Sequence, residues 1–177
     1  MAALLMLAAA MAQAQSAEAN EYELKAAFLF NFAKFVEWPP GTFTAAGDPI
    51  HICVLGPNPF GDALERLAQG RLAQSRRLQV EPTSNVIAAG QCQIVFIPEG
   101  NAPQSLQLFR NASVVGALTV GEGESFARDG GVINFVLREN RVGFEINVDA
   151  ARRARLQISS KLLNLATIVH DAPSEKN

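Results

Sequence analysis

The stretch Ile50-His51-Ile52-Cys53-Val54-Leu55-Gly56-Pro57-Asn58-Pro59 decides the reading of the fold. A short apolar run rich in β-branched residues stops at Gly56 and meets a Pro/Asn turn, the punctuation of a buried strand. A helix is predicted directly after it, over residues 60–68. Downstream, residues 78–80 belong to a short second strand, and residues 93–97 form a strand bounded by Pro98. Pro103 opens a helix through Arg110, with Asn111 as its stop. Residues 114–120 are a continuous apolar run, as expected of a strand covered on both faces.

After residue 130 the pattern changes. Residues 132–137 and 142–146 read as strands joined through Arg138-Glu139-Asn140-Arg141, an antiparallel hairpin. Asp149 is expected to cap a long helix over residues 149–169, apolar along Ile158, Leu162, Leu165, Ala166 and Val169. The predicted fold is therefore α/β: a mixed, largely parallel sheet with helices on both faces, then a C-terminal antiparallel hairpin plus a long helix.

Upstream of the deciding stretch, residues 18–37 read as a helix ending before Pro39. At 100° per residue, Leu24, Phe28, Leu29, Phe32, Phe35 and Val36 form one broad stripe. Phe30 falls on the opposite side, near Glu23, Lys34 and Glu37. A helix apolar on more than one side is deeply buried or part of an interface. Phe30, Lys34 and Glu37 are thus the candidate partner-binding residues, and packing of Phe30 beneath the loop 39–49 is the competing reading.

The first residues read as a signal peptide over 1–14. The segment from Ala2 to Met11 is small or apolar, and Ala12-Gln13-Ala14 fits a small-x-small cleavage site, although no Lys or Arg precedes the run. It is shorter than the ~18 apolar residues of a membrane span. The expected organisation is a leader, one domain over residues 21–170, and a polar tail over 171–177. Export is expected to leave a soluble mature protein. The chain has 177 residues, enough for one such domain with its own core.

Two cysteines, Cys53 and Cys92, are an even count in an exported chain and suggest a disulfide, with two buried thiols as the alternative. In a doubly wound order the strands carrying them are neighbours. Closing the loop between them would stabilise the fold by ~4 kcal/mol.

Enzyme constellations are sparse. The two histidines, His51 and His170, have no ligand-spaced Cys or His beside them. There is no Gly-x-Ser-x-Gly. The turn from Gly56 to Gly61 lies where anions often bind, but Pro57 and Pro59 remove backbone donors. Gly121-Glu122-Gly123-Glu124 reads as a solvated loop. The formal net charge of −2 gives no clustered basic face of the kind nucleic-acid binders need, and Arg152, Arg153 and Arg155 read as a solvated surface. No catalytic residue, metal ligand or cofactor is predicted.

Several segments together resemble the YfiR family of exported bacterial regulators. They are Tyr22-Glu23-Leu24-Lys25-Ala26-Ala27-Phe28 through Phe35-Val36-Glu37-Trp38-Pro39, then Ile52-Cys53-Val54-Leu55-Gly56, then Val142-Gly143-Phe144-Glu145-Ile146-Asn147 and Ile158-Ser159-Ser160-Lys161-Leu162-Leu163. The resemblance implies a periplasmic protein without enzymatic activity that holds an inner-membrane diguanylate cyclase in check through its periplasmic domain. Release of that check raises cyclic di-GMP and favours biofilm. It also implies an OmpA-like outer-membrane lipoprotein as a sequestering partner, and a homodimer. Cys53 and Cys92 match a disulfide pair of the family. Some members carry a second pair near the hairpin, which this chain lacks. The alternative function is a periplasmic small-molecule sensor using Gly56 and Asn58 at the mouth of the sheet.

Overall fold

A computed structural model describes residues 2–110 and 115–172. In chain order the elements are α1 (Ala2–Phe35), β1 (Val36–Glu37), β2 (Ile50–Leu55), α2 (Ala63–Ala68), β3 (Leu72–Ala73), β4 (Arg76–Thr83), α3 (Val86–Ala89) and β5 (Ile94–Ile97). Then follow α4 (Ala102–Arg110), β6 (Leu118–Glu122), β7 (Ile133–Arg138), β8 (Arg141–Asn147), α5 (Val148–Arg153), β9 (Gln157–Ile158), α6 (Ser160–Leu163) and β10 (Thr167–Val169).

Eight strands form one sheet in the order β10-β8-β7-β6-β5-β2-β4-β3. Neighbours from β4 to β7 run parallel, and β7–β8 and β3–β4 are antiparallel hairpins. This is the mixed, largely parallel sheet read from the sequence. Both hairpins turn on two residues with positive φ, Gln74-Ser75 and Glu139-Asn140, whose backbone twist matches that of the flanking strands. Pro82 is tolerated in β4 because β3 pairs only with Arg76 and Arg77, so no ladder bond is lost beyond them.

The two central strands show why the sheet is covered on both faces. Ile50, Ile52 and Val54 of β2, with Ile94 and Phe96 of β5, point into one core beneath α1 and α2. Cys53 and Leu55, with Val95 and Ile97, point into a second core under α3 and α4. Successive side chains alternate faces, so a strand apolar at every position needs cover on both. Cys53 and Cys92 are disulfide-bonded, with Cα atoms 6.0 Å apart and a sequence separation of 39.

α1 ends where its backbone is captured twice. The Gln74 side chain donates to the carbonyls of Ala33 and Val36 at 2.9 and 2.7 Å. Val36 and Glu37 then leave the helix to pair antiparallel with Ile158 and Gln157. Glu37 is therefore on a strand, not on the helix face assigned from sequence. Leu24 also departs from the expected stripe, being 45% exposed.

The expected long helix over 149–169 is broken into α5, β9, α6 and β10. Arg155 adopts a positive φ of 58°, which ends α5. Ser159 N–H donates to Phe35 O, and Thr167, Ile168 and Val169 pair parallel with Glu145, Ile146 and Asn147 of β8. Ile158, Thr167, Ile168 and Val169 are β-branched and fit a pleated surface better than a helix. The cap of α5 is Asn147 rather than Asp149: its Oδ1 accepts from the Asp149 and Ala150 N–H groups at 2.9 Å each. Smaller shifts accompany these. α2 starts at Ala63 rather than residue 60, β4 is longer than foreseen, and β6 starts at Leu118. The expected helix stop Asn111, Val114 of the expected strand and residues 173–177 of the tail lie outside the described residues.

Candidate functional site

Parallel strands end together, and ligands of such sheets gather outside their carboxyl ends. Here those ends are Leu55-Gly56, Ile97-Pro98-Glu99 and Glu122. Gly56 stands at the switch point between β2 and β5, with φ 113°, and a Cβ there would meet the Asn101 side chain at 3.3 Å. Asn58 is occupied by its own turn: Oδ1 accepts from Phe60 N–H at 2.9 Å and Nδ2 donates to Gly61 O at 3.0 Å. Neither residue lines the groove described next.

That groove, about 690 Å³, runs between α1, the loops after β5 and β6, and the β7–β8 hairpin. Its innermost ion pair joins Lys25 and Glu122. Lys25 is 5% exposed and also reaches Glu21 at 2.5 Å. Tyr22 OH donates to Glu122 Oε1 at 2.8 Å. Burial, then the bond to Glu122, hold the Tyr22 phenol well above its ordinary pKa. Glu122 is thus a buried partner rather than part of a solvated loop.

On the other face of β7, Asn134 and Glu145 are cross-strand partners. Asn134 Nδ2 donates to Gly123 O at 2.9 Å, while its buried Oδ1 has no hydrogen-bond partner among the described residues. The Glu145 side chain is 7% exposed and is met by Arg138 at 3.1 Å, whose own side chain is 63% exposed.

Sequence reasoning missed Lys25, Asn134 and Glu145 as groove residues and read Glu122 as part of a solvated loop. Lys25 did leave a signal: it lies at the spacing of Phe28, Leu29 and Phe32, and a charge inside an apolar stripe needs a buried partner. Asn134 and Glu145 meet only through strand register, which no local pattern encodes.

The candidate partner-binding residues lie elsewhere. Phe30 is half-buried against the α1 core, with the Lys34 ammonium 5.8 Å and the Arg71 guanidinium 5.6 Å from its ring centroid. Lys34 and Glu37 are exposed. Phe32 is fully buried, and Phe28 and Phe35 are half-buried against the same core. His51 Nδ1 lies 2.8 Å from Glu81, and His170 Nδ1 lies 2.8 Å from Asp149. Among the described residues no cluster of His, Cys, Asp or Glu is arranged to hold a metal ion, and no helix is long and apolar enough to cross a membrane.

Among solved structures, an ABC domain from Streptococcus pneumonia, determined in complex with L-Trp, aligns at 10% identity with a TM-score of 0.43. The match covers 67% of this chain and 55% of that one, a likeness too distant to bear on function. A family model described as YfiR/HmsC-like matches residues 22–167, from the start of the Tyr22–Pro39 segment to the first residue of β10. That span holds the disulfide, the whole eight-stranded sheet but for its last two residues, and the groove apart from Glu18 and Glu21: the chain belongs to the YfiR/HmsC-like family.

Proposed function

We propose that the protein is a periplasmic regulator that binds the periplasmic domain of an inner-membrane diguanylate cyclase and represses it, lowering cyclic di-GMP and biofilm formation. The observation that carries this reading is membership of the YfiR/HmsC-like family over residues 22–167. Export through the leader at residues 1–14 delivers it to the compartment where Cys53 and Cys92 can stay oxidised. It acts by binding, not by catalysis, and an OmpA-like outer-membrane lipoprotein competes for it.

The contact with the cyclase is assigned to the outer side of α1, around Phe30 and Lys34, with Glu37 on the adjoining strand. A half-buried aromatic ring flanked by cations suits a hot spot, since aromatic and Arg anchors dominate interface energies. The test is a pull-down of the cyclase's periplasmic domain by the mature protein, paired with cyclic di-GMP measurements in cells. Wild type is expected to bind and to lower the nucleotide. Phe30→Ala is expected to lose both while keeping most of its melting temperature. A Phe30→Ala protein that is stable and still represses removes this residue from the interface. No binding by wild type, with unchanged cyclic di-GMP on gene deletion, removes the function. Sedimentation of the same samples measures whether a homodimer forms.

A further inference from the structure

We propose that the groove beside the β7–β8 hairpin is a binding site for a small organic cation, one that presents an ammonium or guanidinium group on an alkyl stem. The groove is lined by six carboxylates, of Glu18, Glu21, Glu99, Glu122, Glu124 and Glu145, against the cations of Lys25, Arg128 and Arg138. Lys25 is already committed to Glu21 and Glu122. The lining therefore carries an excess of negative charge, which in a concave, partly desolvated site attracts cations.

Charge alone does not make a site. The second observation is Asn134. It lines the groove, it is 1% exposed, and its Oδ1 lacks any donor among the described residues. Its orientation is fixed, because Nδ2 is held by Gly123 O at 2.9 Å, and exchanging the two atoms would set two acceptors face to face. Buried acceptors almost always have a donor, so an orphan in a groove wall marks where a ligand donor belongs.

Glu145, directly across the β7–β8 ladder, supplies the counter-charge within one cross-strand pair distance. The present occupant of that carboxylate is Arg138, a guanidinium on a largely exposed side chain. A ligand with the same head group, donating to both Asn134 Oδ1 and Glu145, displaces Arg138 to solvent. Val136 lies between Asn134 and Arg138 on that face, opposite Gly143, and gives an alkyl stem an apolar surface. The site stands apart from the α1 surface assigned to the cyclase and is tested without it.

The experiment is calorimetric titration of the purified, disulfide-intact protein with agmatine, with glutarate and 1,4-butanediol as anionic and neutral controls. Wild type is expected to bind agmatine and neither control. Glu145→Gln is expected to weaken binding by about tenfold or more, the effect of losing one charge-assisted contact. Arg138→Ala is expected to tighten it several-fold, because the competing guanidinium is gone. Should Glu145→Gln fail to fold, Glu124→Gln at the exposed rim takes its place, with a smaller loss expected. No binding by wild type overturns the proposal, and so does an affinity that neither Glu145→Gln nor Arg138→Ala changes. A blocked tetra-arginine peptide that binds where agmatine does not would also overturn it, assigning the groove to a partner segment instead.

Discussion

The two faces of the sheet are held by different means. Beneath α1, four rings interlock: Phe28 and Phe32 stand 5.4 and 5.2 Å from Phe144, and Phe32 lies 5.7 Å from Phe135. Phe96 continues the chain of rings to Phe60 at 4.7 Å. The opposite face has short helices, α3 and α4, over a smaller apolar cluster that contains the Cys53–Cys92 bond. One side is specified by shape, through side chains that fit each other in the folded state. The other is specified partly by connectivity, which acts by restricting the unfolded chain. The comparison teaches that the face with the least apolar contact is the one that carries a covalent tie.

The comparison breaks most severely at Phe32, which is fully buried. Phe32→Ala is expected to cost about 3–5 kcal/mol, because the lost transfer energy is joined by a cavity between two sheet phenylalanines. Urea unfolding measures it. A loss below about 1 kcal/mol would mean that the rings repack and that shape does not specify this side.

The next effect lies on the other face. Cys53→Ser with Cys92→Ser is expected to cost about 2–4 kcal/mol, most of it through the unfolded state. The signature is a changed denaturation midpoint with native near-UV circular dichroism, whereas Phe32→Ala alters the native packing itself. If the disulfide variant also loses its native spectrum, the bond is shaping α3 and α4 and is more than a tether.

The parts of this architecture that were legible in the sequence are those fixed by local rules. β2 and β5 could be read because β-branched runs end abruptly at Gly56 and Pro98. The hairpin could be read because Glu139-Asn140 interrupts two apolar stretches. The C-terminal segment could not. Leu156, Leu162 and Val169 are buried there, but Leu156 sits in the connection before β9, Leu162 on α6 and Val169 on β10, and Leu165, placed on the apolar face of the expected helix, is largely exposed. What broke the helix was pairing with Phe35, Val36 and β8, partners far away in sequence. The groove was illegible for the same reason: Asn134 faces Glu145 only after strand register is set.

Lys25 sharpens the comparison, because it places a buried ion pair at the end of the aromatic side. Lys25→Met is expected to cost about 2–3 kcal/mol by leaving Glu122 buried with only the Tyr22 hydroxyl as donor. Adding Glu122→Gln is expected to recover much of that loss, since no buried charge then remains. Thermal melts of the two single variants and the double variant give the coupling. Additive losses would mean that the two side chains do not act as a pair.

The smallest effect concerns the tie between the two faces at the hairpin end. Asp171 follows β10 and is held by both Arg153 guanidinium nitrogens, with Nη2 to Oδ1 at 3.0 Å, and by Asn147 Nδ2 at 2.9 Å. Asn147 Nδ2 also donates to Ala127 O, beside Phe126 of the second core. The Arg153 hydrogen bonds, with help from Asn147, hold the Asp171 carboxyl below its ordinary pKa. A carboxyl lowered in the folded state contributes its stability above the unfolded value, near pH 4, and loses it as pH falls through the folded value. The side chain is 36% exposed, so screening limits the contribution to about 0.2–1 kcal/mol. Asp171→Asn is therefore expected to melt slightly below wild type at neutral pH, with the gap closing below about pH 4. Asp149 is lowered too, first by its bond to His170, but it is present in both proteins and largely cancels from the difference. A gap that persists unchanged in acid would show that Asp171 acts through its hydrogen-bonding shape, which Asn imitates poorly, and not through its charge.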